Sequence, residues 1–302
     1  MEGITSMEGQ SPATHINYTR ADFRALRERL GVSLKNLATT LGCDKKYLAR
    51  MERGRDDDPM PFEKQFSALE DIEARFEPGV ERIMADALGD PEVLASGRAV
   101  LPYYNDQDEY RLVRRDDDFY TWENTRLREA ARRLRARGLA VEHRFACEDG
   151  VRYGRPVRCT RADYRAWREG LGVSLDDLTE ILGCSRRFLC HIERGNPGDP
   201  VPYEKQVAPL REIEARFRDV VDQIVGEASS GLGAGAVAVL PYYRDQDDYA
   251  QHCPRAGAGE PYAWENARLR EAGKRLAAEG IEVEYRFFVE RDVEYTDPSD
   301  GD

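Results

Sequence analysis

Residues 19–54 read TRADFRALRERLGVSLKNLATTLGCDKKYLARMERG, and residues 160–195 read TRADYRAWREGLGVSLDDLTEILGCSRRFLCHIERG. Each stretch is punctuated like three short helices. Thr19 or Thr160 can cap the first, with Asp22 or Asp163 three residues on completing a capping box. Phe23, Leu26 and Leu30 line one face of that helix. Gly31 or Gly172 ends it, and Ser33 or Ser174 caps the next. The second helix stops at a glycine. Asp44 or Ser185 opens a third, which ends at Gly54 or Gly195. Leu37, Ala38 and Leu41 then pack against Leu48 and Met51. The free face of the third helix carries Lys45, Lys46 and Arg50 in one stretch, and Arg186, Arg187 and His191 in the other. A protruding helix of this width fits a DNA major groove.

The same pairing continues outward at an offset of 141 (Gly195 minus Gly54). Pro-Phe-Glu-Lys-Gln at 61–65 matches Pro-Tyr-Glu-Lys-Gln at 202–206, and Glu-Ala-Arg-Phe recurs at 73–76 and 214–217. LPYY recurs at 101–104 and 240–243, and Trp-Glu-Asn at 122–124 and 264–266, where small insertions and deletions shift the offset slightly. Repeats of this size indicate a tandem duplication, not a solenoid of short units. Residues 62–88 and 203–228 read as a long amphipathic helix, with a break near Pro78 in the first copy. The period then changes. Residues 99–106, 139–146, 236–245 and 281–290 are strand-like, and 122–138 and 264–280 are helical.

The expected fold is therefore mainly α with small α+β units, in two tandem copies. The expected boundaries are a disordered tail at 1–17, a first head with its long helix at 18–90, and an α+β pairing unit at 98–147. A linker at 148–159 leads to a second head at 160–228, a second unit at 236–292 and an acidic tail at 293–302. Glycine-rich 229–236 reads as a joint.

The 302 residues carry a formal net charge of -12. That argues against a uniformly basic binder but leaves local basic patches open, because recognition depends on where charge sits. No stretch is long and apolar enough to span a membrane. The N-terminal residues lack a secretory pattern, so a cytoplasmic location is expected. Cys43, Cys147, Cys159, Cys184, Cys190 and Cys253 form no CxxC pair and no ligand spacing with histidine. Reduced thiols are expected, Cys43 and Cys184 as small buried fillers, with no metal and no cofactor. No nucleophile, paired acid and base, or phosphate loop converges on the Trp-Glu-Asn segments, so no enzyme is expected.

The thirty-residue pattern Leu-Arg-Glu, Gly-x-Ser, Leu-Ala, Leu-Gly and Glu-Arg-Gly resembles the Xre/Cro/cI helix-turn-helix regulators of prokaryotes and phages. The resemblance implies double-stranded DNA as partner. It implies that Lys45, Lys46 and Arg50, and Arg186, Arg187 and His191, face base edges, with Tyr47 and Phe188 among the DNA-binding residues and Arg53 and Arg194 at the backbone. It also implies structural pairs of Arg27 with Glu52 and Arg168 with Glu193. One departure is that many members carry glutamine where this chain has Leu34 and Leu175. The second half of each copy looks like the C-terminal unit of YdiL-like and anti-CRISPR-associated repressors. That implies an autorepressor reading an inverted repeat, here as an intramolecular pseudo-dimer open to further self-association. Tyr103, Tyr104, Trp122, Tyr242, Tyr243 and Trp264 are the expected pairing residues, packed between strand and helix. Two rival readings use the same basic face: a protein-interaction or antitoxin-like module, and an RNA-binding regulator.

Overall fold

A computed structural model describes residues 19–55, 57–114, 118–145, 159–194, 198–230, 232, 237–256 and 259–288. The expected tails, most of the linker and the glycine-rich joint, Cys147 and Gly195 lie outside the described residues.

Head 1 comprises α1 (Arg20–Arg29), α2 (Leu34–Leu41) and α3 (Lys45–Arg53). Thr19 and Asp22 close a reciprocal capping box on α1, Ser33 caps α2, and Asp44 accepts the Lys46 amide at the start of α3. Gly42 and Gly54 end α2 and α3 in the left-handed region, where glycine has no Cβ to clash. Phe23, Leu30, Val32, Leu37, Leu48 and Met51 form the buried core. It continues onto α4 (Glu63–Ala74) through Phe66, Leu69 and Ile72. The chain breaks at Arg75 before α5 (Phe76–Gly89). Pro78 then sits in the first turn of α5, where its missing N–H leaves no hydrogen bond unmade. A short α6 (Pro91–Ser96) follows.

Unit 1 is β1 (Arg98–Tyr103), α7 (Gln107–Arg114), α8 (Tyr120–Ala136) and β2 (Ala140–Phe145). The strands pair in parallel from Arg98↔Ala140 to Tyr103↔Phe145, and parallel pairing requires the helical crossover between them. The second half repeats this order. Head 2 is α9 (Arg161–Gly170), α10 (Leu175–Leu182) and α11 (Arg186–Arg194). The long helix is α12 (Glu204–Ser229), unbroken despite Pro209. Unit 2 is β3 (Val237–Tyr242), α13 (Gln246–His252), α14 (Tyr262–Ala278) and β4 (Glu282–Phe287), with β3 and β4 parallel.

Each head docks on the unit of the other half. Ala21 and Ala25 of α1 lie in the core of unit 2, and Ala162 and Ala166 of α9 lie in the core of unit 1. Alanine lets helix and strand approach closely. The capping box then serves twice. Asp22 accepts the Tyr285 amide at 2.6 Å, and Thr19 donates to the Tyr285 carbonyl at 2.5 Å. Asp163 accepts the His143 amide at 2.7 Å, and Thr160 donates to the His143 carbonyl at 2.5 Å. The outer edges of β4 and β2 are thereby hydrogen-bonded at these residues, where an open strand edge would otherwise recruit another chain.

The expected pairing residues are distributed differently from the sequence reading. Tyr103 donates to Glu169 of head 2 and Tyr242 to Glu28 of head 1, both at 2.6 Å. Tyr104 and Tyr243 stay inside their own units, edge-on to Tyr110 and Tyr249. Trp122 and Trp264 fill the cores of heads 1 and 2, joining each head to its own unit. The reason is geometric: the tryptophans sit in the first turns of α8 and α14, the ends that meet the heads.

Candidate nucleic-acid interface

Two buried ion pairs set the position of the third helices. Arg27 donates to Glu52 through Nε and Nη2, at 2.5 and 2.7 Å, and to the Val32 carbonyl at 2.7 Å. Arg168 repeats this with Glu193 at 2.6 and 2.7 Å and with the Val173 carbonyl at 2.7 Å. Each fork ties the first helix of a head to its third and to the intervening turn. Burial alone would lower the pKa of either arginine, but the facing glutamates raise both. Breaking such a pair by removing one partner typically costs about 3–5 kcal/mol, because the remaining charge stays buried.

The far ends of α3 and α11 are held by the opposite half. The Arg244 guanidinium donates to the Gly54 carbonyl at 3.3 Å, and the Asn105 amide donates to the Arg194 carbonyl at 2.7 Å. Arg24 donates to the Arg244 carbonyl at 3.0 Å, and Arg165 to that of Asn105 at 3.2 Å. Unit 2 therefore supports α3, and unit 1 supports α11.

The candidate contact residues fall into two groups. Lys45, Lys46, Arg187 and Arg194 are exposed, and their side chains form no ion pair among the described residues. The others are engaged. Arg53 forks onto the Asp58 carboxylate at 2.8 and 2.5 Å, and Arg50 reaches the same group at 3.3 Å. Asp58 is buried. Its hydrogen bond from Arg53, against the opposing effect of burial, holds its carboxyl at about 2. In head 2, His191 Nδ1 lies 3.0 Å from Asp199. Arg186 pairs with Asp176 at 3.2 Å, both side chains exposed. Tyr47 and Phe188 are half-buried against the head cores.

The sequence reading treated Arg50 and His191 as free because their partners lie eight residues on, in the loop RDDDP or NPGDP. The aspartate common to both loops was the available signal. Leu34 and Leu175, which replace the familiar glutamine, pack beside the same cores. Cys43 and Cys184 are half-buried. Among the described residues no cluster of histidine, cysteine and carboxylate has metal-binding geometry, and no helix is long and apolar enough to cross a membrane.

Residues 20–92 match a family model described as a helix-turn-helix domain. The match covers head 1 and continues through α4 and α5 to the start of α6. No curated protein and no solved structure matches the chain.

Proposed function

We propose that this protein is a sequence-specific regulator that binds double-stranded DNA with α3 and α11 in the major groove. One observation carries the reading. Both heads present exposed cations at the N-terminal end of a third helix, Lys45 and Lys46 on one and Arg187 on the other. These are unclaimed by any carboxylate among the described residues, on helices locked by a buried arginine–glutamate fork. The helix-turn-helix match over residues 20–92 supports the assignment.

In this reading the chain is a pseudo-dimer that recognises an imperfect inverted repeat and acts as a repressor, its own gene included. The crossed docking of heads on units supports this, because it reproduces within one chain the reciprocal contacts of a two-fold assembly. Covalent linkage replaces concentration-dependent pairing with a local effective concentration. It also frees the two heads to diverge, as Arg50 and His191 have. The half-sites are then unequal and about one helical turn apart, roughly 34 Å.

The test is to select preferred duplexes from a random pool and measure affinity by filter binding at fixed salt. Lys46→Ala and Arg187→Ala are each expected to cost about 1–3 kcal/mol, each at one half-site only. A loss that is uniform over all sequences would make them phosphate contacts. Unchanged binding by both variants, or a stable complex of two chains per operator, would overturn the proposal.

A further inference from the structure

A cleft of about 960 Å3 lies between the two halves, walled by α8, α9, α12 and α14. Its lining is chemically unequal. On the side of head 2 it includes His143 and Trp167. His143 is 2 % exposed, its Nδ1 is 2.9 Å from Asp163, and its Nε2 is buried with no hydrogen-bond partner. Trp167 Nε1 is likewise buried and unpartnered. A buried polar group left unpaired has lost its water without gaining a partner, which is unfavourable. Leu171, Val207 and Phe217 give the same region an apolar surface. At the positions matching Trp167 and His143, the other half carries Leu26 and Tyr285. The Tyr285 hydroxyl is turned to the Leu269 carbonyl.

The missing partners define a ligand. An indole N–H requires an acceptor. The Asp163 carboxylate takes the Nδ1 side of the His143 ring, so Nε2 is left to form a hydrogen bond with a ligand group. A carboxylic acid meets both demands, and so does a neutral amide. Charge decides between them: nine arginines and lysines line the cleft against six carboxylates, on a chain whose net charge is -12. Arg135 donates to the Val141 carbonyl at 2.9 Å and forms no ion pair among the described residues. We propose that the cleft binds one amphipathic organic acid per chain. Its carboxylate meets His143 Nε2 and Trp167 Nε1 near Arg135, and its aryl or acyl body lies on Leu171, Val207 and Phe217. The inference stands apart from DNA binding and is tested without it.

The probe is anilinonaphthalene sulfonate, titrated into the full chain, with naphthoate and octanoate as competitors and naphthylmethanol as the neutral comparator. Expected are saturable fluorescence at one site per chain, displacement by both acids but not by the alcohol, and a rise in melting temperature with naphthoate. Trp167→Leu, which installs the residue of head 1, and His143→Gln should each weaken naphthoate by about tenfold. Two equal sites, non-saturating fluorescence, or unchanged affinity in folded Trp167→Leu would overturn the proposal. If Trp167→Leu loses its helical circular dichroism, Arg135→Ala takes its place at an exposed position. It should weaken naphthoate severalfold and leave the alcohol unaffected, and equal affinity for naphthoate would overturn the proposal.

Discussion

Gly31→Ala tests whether head 1 is seated against its own unit as tightly as the structure requires. Gly31 has φ +71°, and a Cβ there would lie 2.0 Å from Thr125 Oγ1, 2.8 Å from the Thr121 carbonyl oxygen and 3.0 Å from Thr125 Cβ. The Thr121 carbonyl belongs to the first turn of α8, so it cannot swing away as a flexible side chain could. Thr125 Oγ1 is engaged too, bonded to that carbonyl at 2.9 Å and to Arg128 at 2.9 Å. Gly42 supplies the control. Its φ is +63°, and nothing lies within 4 Å of an added Cβ. Gly42→Ala therefore isolates the left-handed backbone penalty, about 1–2 kcal/mol, offset in part by a less flexible unfolded chain. Gly31→Ala adds overpacking of about 1–3 kcal/mol. Thermal unfolding of the full chain by circular dichroism should place Gly31→Ala below Gly42→Ala by several degrees, at about 2 °C per kcal/mol. Equal melting temperatures would refute the close seating of head 1 on α8.

The crossed contacts carry a pH dependence, and the packing inside unit 2 carries a steric one. Burial pushes Glu28 and Glu169 up, but Arg270, Arg24 and Arg27 hold the first at about 2, and Arg165, Arg128 and Arg168 hold the second there. A depressed carboxyl stabilises the docked heads fully above its unfolded value of 4.5, and the contribution is lost as pH falls toward 2. Each group is worth about 3 kcal/mol, so small-angle scattering should show the molecule expanding across that window; a constant radius would contradict the assignment. Separately, a Cβ on Gly273 would lie 2.1 Å from the Tyr285 hydroxyl oxygen but 3.1 Å from its Cζ. Gly273→Ala should lower the melting temperature alone and be tolerated with Tyr285→Phe, and absence of coupling in the double-mutant cycle would exclude this clash.

The heads were legible in the sequence because their signals are local. Thr19 with Asp22, Ser33, Gly42, Asp44 and Gly54 each act within four residues. The helices α7 and α13 were missed, although Asp106 accepts the Glu109 amide and Asp245 the Asp248 amide, both at 2.9 Å. An aspartate followed three residues later by an acidic residue is the same capping signal that located α1. The crossed docking had no local signature. Thr19 meets Tyr285 across 266 residues of chain, and both units offer a similar strand to both heads. The engagement of Arg50 with Asp58 and of His191 with Asp199 was hidden for a related reason, since sequence does not show the loop that folds back onto the helix.

The same substitutions that blur the repeat make the two docking surfaces different. Where unit 1 has Ala131 and His143, unit 2 has Gly273 and Tyr285. The larger ring on β4 is accommodated by the smaller residue on α14, so the exchange preserves packing volume within each unit. It does not preserve chemistry. Asp163 faces an imidazole that can carry a positive charge, and head 2 is tied to unit 1 through both a strand edge and that ring. Asp22 has the strand edge but no such cation from β4, whose side chain there turns toward α14 instead. The cleft is lined from both interfaces, by His143 and Asp163 of one and by Glu28 and Arg270 of the other. Unit 1, which carries His143, also supports the C-terminal end of α11 through Asn105.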